Sequence, residues 1–175
     1  MPNYVCNGAK MSCTFGSSSC SLNVLPTKQI QLEDNEAANI MDYVPMVNIS
    51  GFGQCSSLVN PVVAVATAKN SGVLEPQKCI PVIVTPWMPG KPDELMANQP
   101  ALMDFCINTC VYFGIVTITN AGQTSVNSEM AAPDMGAFIS EFEAGMDDAI
   151  DKAKEAAKEE IQKEMEEEAK KAAGK

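Results

Sequence analysis

The chain has 175 residues, 46% apolar and only 6% aromatic, so it can bury a core built mostly from aliphatic, Met and Cys side chains. Its 22 acidic against 12 basic residues give a formal charge of −10, which disfavours phosphate backbones and so argues against nucleic acid as a partner. Every basic residue is a lysine and there is no histidine, which removes His general bases, Ser–His and Cys–His pairs, and bidentate Arg clamps, and most common hydrolase and transferase mechanisms with them.

Met1–Cys6 carries neither a basic stretch nor an apolar run of the export type, so no signal peptide is expected. From Lys10 to Phe15, Met11, Cys13 and Phe15 alternate with Lys10, Ser12 and Thr14, the pattern of a half-buried strand. Gly16–Ser19 is turn material. Short strands follow around Leu22 and Val24, around Ile30 and Leu32, and over Met46–Ile49, the last closed by Gly51-Phe52-Gly53. Asn60 as N-cap, Pro61 at the first helical position and Gly72 as terminator predict a helix of about two turns over Val62–Lys69. Ile80–Val84, between Pro81 and Pro86, reads as an edge or interrupted strand. Ile115–Thr119, β-branched throughout, is the clearest strand, and Asn120-Ala121-Gly122-Gln123 turns the chain after it.

Beyond this point the polymer changes. Residues 1–135 hold 10 acidic and 5 basic side chains, and residues 136–175 hold 12 and 7. All seven cysteines lie at or before Cys110. A boundary near Ala131–Asp134, marked by Pro133, divides a domain over 1–132 from an extension over 133–175. In the extension, Phe138, Phe142, Met146 and Ile150 begin a stripe at helical spacing, continued mostly by alanine. Acid-first pairs such as Glu159–Lys163 and Glu166–Lys170 support a helix, which over Ser140–Ala172 would run ~50 Å at ~1.5 Å per residue. The fold class is therefore mainly β: short strands with one short helix, suited to a compact wedge or small barrel, plus a C-terminal α-helical extension. The apolar runs fall far short of the ~20 residues that span a bilayer, so no membrane insertion is expected.

The strings Gly8–Gly16, Ser21–Pro26, Ala38–Asp42, Pro45–Ile49, Phe52–Cys55, Asn60-Pro61, Gly72–Leu74, Cys79–Pro81, Trp87–Gly90, Asn98–Leu102 and Ile118–Gln123 follow in order. Over roughly residues 5–124 they resemble the PAAR-like proteins long catalogued as a domain of unknown function. Those proteins cap the spike of type VI secretion systems and related contractile injection machines. The resemblance implies a conical domain of short strands about a pseudo-threefold axis. Its base would sit on the blunt end of a homotrimeric VgrG-type spike protein, its point is often pinned by a metal ion, and it carries cargo. This chain departs from the better-known branch in lacking a Pro-Ala-Ala-Arg string and any histidine, so a histidine-held tip metal is excluded. The resemblance does not reach residues 135–175.

The cysteines are Cys6, Cys13, Cys20, Cys55, Cys79, Cys106 and Cys110. In a reducing compartment stable disulfides are not the default, whereas four thiolates make a structural zinc site. The family settings Ser12-Cys13, Gln54-Cys55, Lys78-Cys79 and Cys110 before the last strand imply Cys13, Cys55, Cys79 and Cys110 as the set for a structural Zn2+, with Cys106 as a substitute for Cys110. Simple core packing of the thiols and disulfides formed after delivery remain open beside it, since no tight Cys-x-x-Cys knuckle is present. A nucleophilic thiol is the weakest reading, with neither His nor Arg to activate it. Asp93 and Glu94 read as a solvated turn, and Trp87 as either an interface anchor or a core residue beside a turn.

The expected function is structural rather than enzymatic: a spike tip, cytoplasmic before firing and then secreted or delivered into a target cell by the apparatus. The stripe Phe138, Phe142, Met146 and Ile150 is the candidate docking element for an effector, adaptor or chaperone, against the blander reading of a charged solubilising helix. The alternative from another class is a secreted effector, or a freestanding metal-binding module, using the same fold.

Overall fold

The computed structural model describes residues 2–32, 34–123, 139, 140 and 155. Residues 2–55 and 78–123 belong to one compact unit and residues 56–77 to a second. The boundary near Ala131–Asp134 and the stripe Phe138, Phe142, Met146 and Ile150 lie outside the described residues.

The described fold is mainly β, in small sheets with one α-helix. Its strands are β1 (Lys10–Cys13), β2 (Cys20–Ser21), β3 (Gln31–Leu32), β4 (Asn35–Glu36), β5 (Gln54–Cys55), β6 (Gln77–Lys78), β7 (Lys91–Met96), β8 (Gln99–Ala101), β9 (Ile107–Thr109) and β10 (Ile115–Asn120). The helix, α1 (Pro61–Lys69), lies in the second unit and forms as its sequence dictates. The Asn60 side chain accepts from the Val62 N–H, Pro61 needs no donor in the first turn, and Gly72 at φ +82° donates back to the Thr67 carbonyl. The Thr67 hydroxyl then accepts from Glu75 N–H at 3.1 Å, fixing the exit.

The first unit is organised by a four-stranded antiparallel sheet in the order β2-β1-β10-β9. The β-branched run of β10 takes the central place, with Met11 opposite Ile118, Ser12 opposite Thr117 and Cys13 opposite Val116. The Ser12 and Thr117 hydroxyls meet at 3.1 Å on one face, while Met11, Val116 and Ile118 are buried on the other. Around them Val5, Leu22, Ile49, Phe52, Ile83, Leu102, Met103 and Cys106 complete the core. Trp87 belongs to it. Its ring is 1% exposed and its indole N–H donates to the Asp42 carbonyl at 3.0 Å, so the core reading of this residue holds. The Asp42 carboxylate in turn accepts from the Asn39 N–H and from the Lys28 ammonium, tying residues 28, 39 and 87 together.

Three segments depart from the sequence expectation. Met46–Ile49 forms a turn, not a strand: Met46 N–H bonds the Ile49 carbonyl, and the Asn48 side chain accepts from Val44 N–H while donating to the Asn23 carbonyl. Side-chain amides have displaced the ladder there. Ile80–Val84 keeps a single bridge, Ile83 to Cys110, consistent with the prolines that flank it. Around Asp93 and Glu94, read from sequence as a solvated turn, the chain is instead part of β7, which makes a hairpin with β8 through Ala97 and Asn98, both left-handed (φ 54° and 62°). The pairing skips from Lys91 to Leu95, so Pro92, Asp93 and Glu94 bulge outward and are exposed.

The sheet has two chemically different ends. One is where β1 finishes at Cys13 and the β9–β10 turn closes over residues 110–114. At the other, Leu22 N–H to Ala9 carbonyl and Gly8 N–H to Leu22 carbonyl carry the chain out to Leu25. There Asn23 and Asn48 bond each other's segments, including Asn23 Nδ2 to the Val47 carbonyl at 2.9 Å. The result presents Leu25, Val44, Met46 and Val47 to solvent, with Met41 beside the Lys28–Asp42 pair also exposed.

Candidate metal centre

Each of the four implied thiols is delivered by a different backbone crossing in the first unit. Cys13 ends β1, opposite Val116. Cys110 follows β9 and opens the next turn, its N–H bonded to the Gly114 carbonyl at 2.8 Å and its carbonyl accepting from Phe113 N–H. Cys55 ends β5 and bridges to Gly16, just past Cys13. Cys79 N–H donates to the Gly53 carbonyl at 2.8 Å, two residues before Cys55.

Glycines let these crossings close up. A Cβ on Gly16 would stand 2.4 Å from the Phe52 Cβ and 3.3 Å from the Cys13 Cβ, so the Cys13 turn packs directly on the Cys55 segment. A Cβ on Gly51 would meet the Cys79 carbonyl at 2.8 Å.

The other three thiols bear on Cys13 electrostatically. Burial pushes the Cys13 thiol from the ordinary 9.0 up to about 11. A hydrogen bond from the Phe15 backbone opposes that rise, and the Cys110, Cys79 and Cys55 thiols add to it. The Cys79 thiol is likewise raised, first by burial, against a bond from the Phe52 backbone, with contributions from Cys55, Cys110 and Cys20. Cys20, outside the implied set, thus bears on Cys79, and its thiol lies 3.2 Å from the Ser50 hydroxyl. Cys106 is elsewhere. It is fully buried in the core, its thiol raised by burial, with the Met103 and Gly90 backbone and Asp104 as neighbours. Cys6 is also buried, with its Sγ 4.0 Å from the Leu32 carbonyl.

All seven cysteines are free. Cys13 and Cys110 belong to segments on opposite sides of β10, and neither is in a disulfide. A tetrahedral zinc ion would need sulfurs about 3.8 Å apart.

Among the described residues, no three Cys, Asp or Glu side chains are gathered tightly enough to hold an ion as they stand. The residues nonetheless fit a zinc ion in two respects. The donor set is four free, soft thiols, the chemistry of a closed structural site. A space beside Gly114 that a Cβ would fill, 3.6 Å from the Cys110 Cβ, is occupied by the Cys13 sulfur. Thiols are protonated at neutral pH, and burial raises Cys13 and Cys79 further, so loading would release protons and strengthen as pH rises.

Sequence reasoning missed the glycines, although a signal was present. Phe15-Gly16, Phe52-Gly53 and Phe113-Gly114 each lie within four residues of one of the four cysteines.

The model of the domain of unknown function DUF4280 matches residues 5–123. No curated protein and no solved structure matches the chain. The chain belongs to the DUF4280 family.

Proposed function

We propose that this chain is a PAAR-like spike tip of a type VI secretion or related contractile injection system. It seats on a homotrimeric VgrG-type spike, one copy on three, and helps deliver cargo. The extension beyond residue 133 is the candidate docking element for an effector, adaptor or chaperone.

What supports the reading is the central sheet. Near one end lie thiols from four backbone crossings, which a bound metal would draw into a rigid point, with Ile80 and Val111 beside Cys79 and Cys110 exposed there. The opposite end exposes Leu25, Val44, Met46 and Val47 on segments stapled by Asn23 and Asn48. Met46 is held there at φ 62°, a conformation disfavoured for its side chain type. An apolar set on a braced backbone suits a permanent partner rather than solvent. The ordered motif strings over residues 5–124 support the same assignment. No catalytic group is invoked: the role is mechanical, concentrating the thrust of a contracting sheath at a small stiff tip. Among the described residues no helix is long and apolar enough to cross a membrane.

Co-purification with a matched spike trimer tests this, with one chain per three spike subunits expected. Met46→Asp with Val47→Asp should abolish capture and leave the melting temperature unchanged. Failure of the wild-type chain to bind any trimer in a matched set overturns the reading.

A further inference from the structure

We propose that Gly114 is the positioning residue of the thiol centre, its missing side chain reserved for the Cys13 sulfur. The inference deepens the zinc reading of Cys13, Cys55, Cys79 and Cys110 and rests on it.

Glycine is normally needed where the backbone turns left-handed. In the turn between β9 and β10 that position is Phe113, at φ 61°, a bulky residue in a conformation that glycine adopts without cost. The following position, Gly114, has no such φ and could accept any residue on backbone grounds. The turn thus carries its glycine one position away from where conformation calls for it. What Gly114 does provide is room. A Cβ there would lie 2.6 Å from the Cys13 Sγ, 3.6 Å from the Cys110 Cβ and 4.0 Å from the Phe15 ring. The first distance is shorter than real Cβ contacts reach, so the sulfur occupies the volume of the absent methyl.

The topology explains why the room matters. Cys13 and Cys110 belong to chain segments on opposite sides of β10, and Gly114 is the β10-side residue bonded to Cys110. A side chain at 114 on this face would crowd both the Cys13 sulfur and the Cys110 Cβ. With glycine, the Cys13 sulfur keeps that space, from which a soft metal ion could join it to the Cys110 thiol. Gly114→Ala adds one methyl in that gap and leaves all four ligands in place, so it separates positioning from ligation.

The test uses the full-length chain, reduced and metal-free, titrated with Co2+ and with Zn2+ against a chromophoric chelator. Wild type should take up one ion per chain and give the thiolate-to-cobalt charge-transfer and d–d bands of a four-sulfur tetrahedral site. Gly114→Ala should weaken Zn2+ about tenfold or more, the range for residues that orient ligands. Its cobalt bands should lose intensity as they do in Cys13→Ser. In a Cys13→Ala background, where the sulfur is gone, adding Gly114→Ala should change neither the remaining affinity nor the metal-free melting temperature. A Gly114→Ala chain with wild-type bands and affinity overturns the positioning role while leaving the zinc site intact. A further loss from Gly114→Ala in the Cys13→Ala background overturns it too, since the methyl would then be acting on something other than that sulfur. A wild-type chain that takes up neither metal overturns the zinc reading itself, and the inference with it.

Discussion

The raised Cys13 thiol makes a prediction about alkaline stability that needs no metal. In the folded chain the thiol is held protonated up to about 11, against 9.0 when exposed. Between these values the unfolded state has released its proton and the folded state has not, so each pH unit favours unfolding. The stabilisation is complete below about pH 9 and lost as pH rises toward about 11. At pH 10 the loss is at most about 1.4 kcal/mol, one pH unit's worth, and less to the extent that solvent reaches the half-buried sulfur. For a unit of about 100 residues that corresponds to a fall of roughly 5–10 °C in melting temperature. The assay is urea denaturation of chelator-treated, reduced protein at pH 8 and pH 10, wild type beside Cys13→Ser. The substitution shifts stability at both pH values, so the readout is the difference of slopes. Wild type should lose more between the two than the variant does. Ionisable groups common to the two proteins cancel in the comparison. Parallel losses in the two proteins would refute the burial of this thiol and, with it, the tight closure of the Cys13 turn on its neighbours.

Two further substitutions probe the frame that holds the site. Trp87→Ala should destabilise the first unit by about 3–5 kcal/mol, since it empties the largest buried side chain and strips the Asp42 carbonyl of its donor; urea denaturation reads it, and a cost under ~1 kcal/mol would contradict the core assignment. Asn60→Ala should weaken α1 by about 1 kcal/mol, seen as faster amide exchange at Ala64 and Asn70, while Asn60→Ser retains protection.

What could be read from sequence follows how local the determining physics is. The helix was legible because Asn60, Pro61 and Gly72 each satisfy or excuse a terminal backbone group within a few residues. The β10 strand was legible because five consecutive residues from Ile115 to Thr119 are branched at Cβ or aliphatic, a preference that operates residue by residue. The β7–β8 hairpin was not, because its turn residues Ala97 and Asn98 lack the usual glycine, and Pro92 within β7 argues against a strand unless a bulge is foreseen. Met46–Ile49 looked like a strand by composition. It was taken by Asn48, whose amide bonds both Val44 and a residue 25 positions earlier, a long-range event invisible to periodicity. The four thiols were identified through family settings, not spacing. Their mutual placement emerges only when β1, β5, the segment after β6 and the β9–β10 turn are packed.

That dispersal bears on what an ion there would do. In a knuckle of the Cys-x-x-Cys type the metal organises a few neighbouring residues, and the rest of the fold hardly feels it. Here the ligands at 13, 55, 79 and 110 divide the chain into long loops, and bridging them joins segments that local structure leaves independent. The hydrogen bonds at this end join short stretches: Gly16 with Cys55, Ser17 with Gln54, Cys79 with Gly53, Val111 with Val82 and Cys110 with Gly114, on strands only two to six residues long. Core burial is concentrated around Trp87, Leu102 and Met103, leaving Cys13, Cys79 and Cys110 half-buried at the margin. A margin with little apolar area to bury, short ladders and no disulfide is where one tetrahedral ion adds the most rigidity per residue. That is also the mechanical requirement on a point that must transmit force. On the proposed reading, the placement of the thiols at the end of the sheet, away from Leu25, Met46 and Val47, suits a loaded tip. A redox or catalytic thiol would instead call for a depressed pKa and open access, and the Cys13 environment works against both.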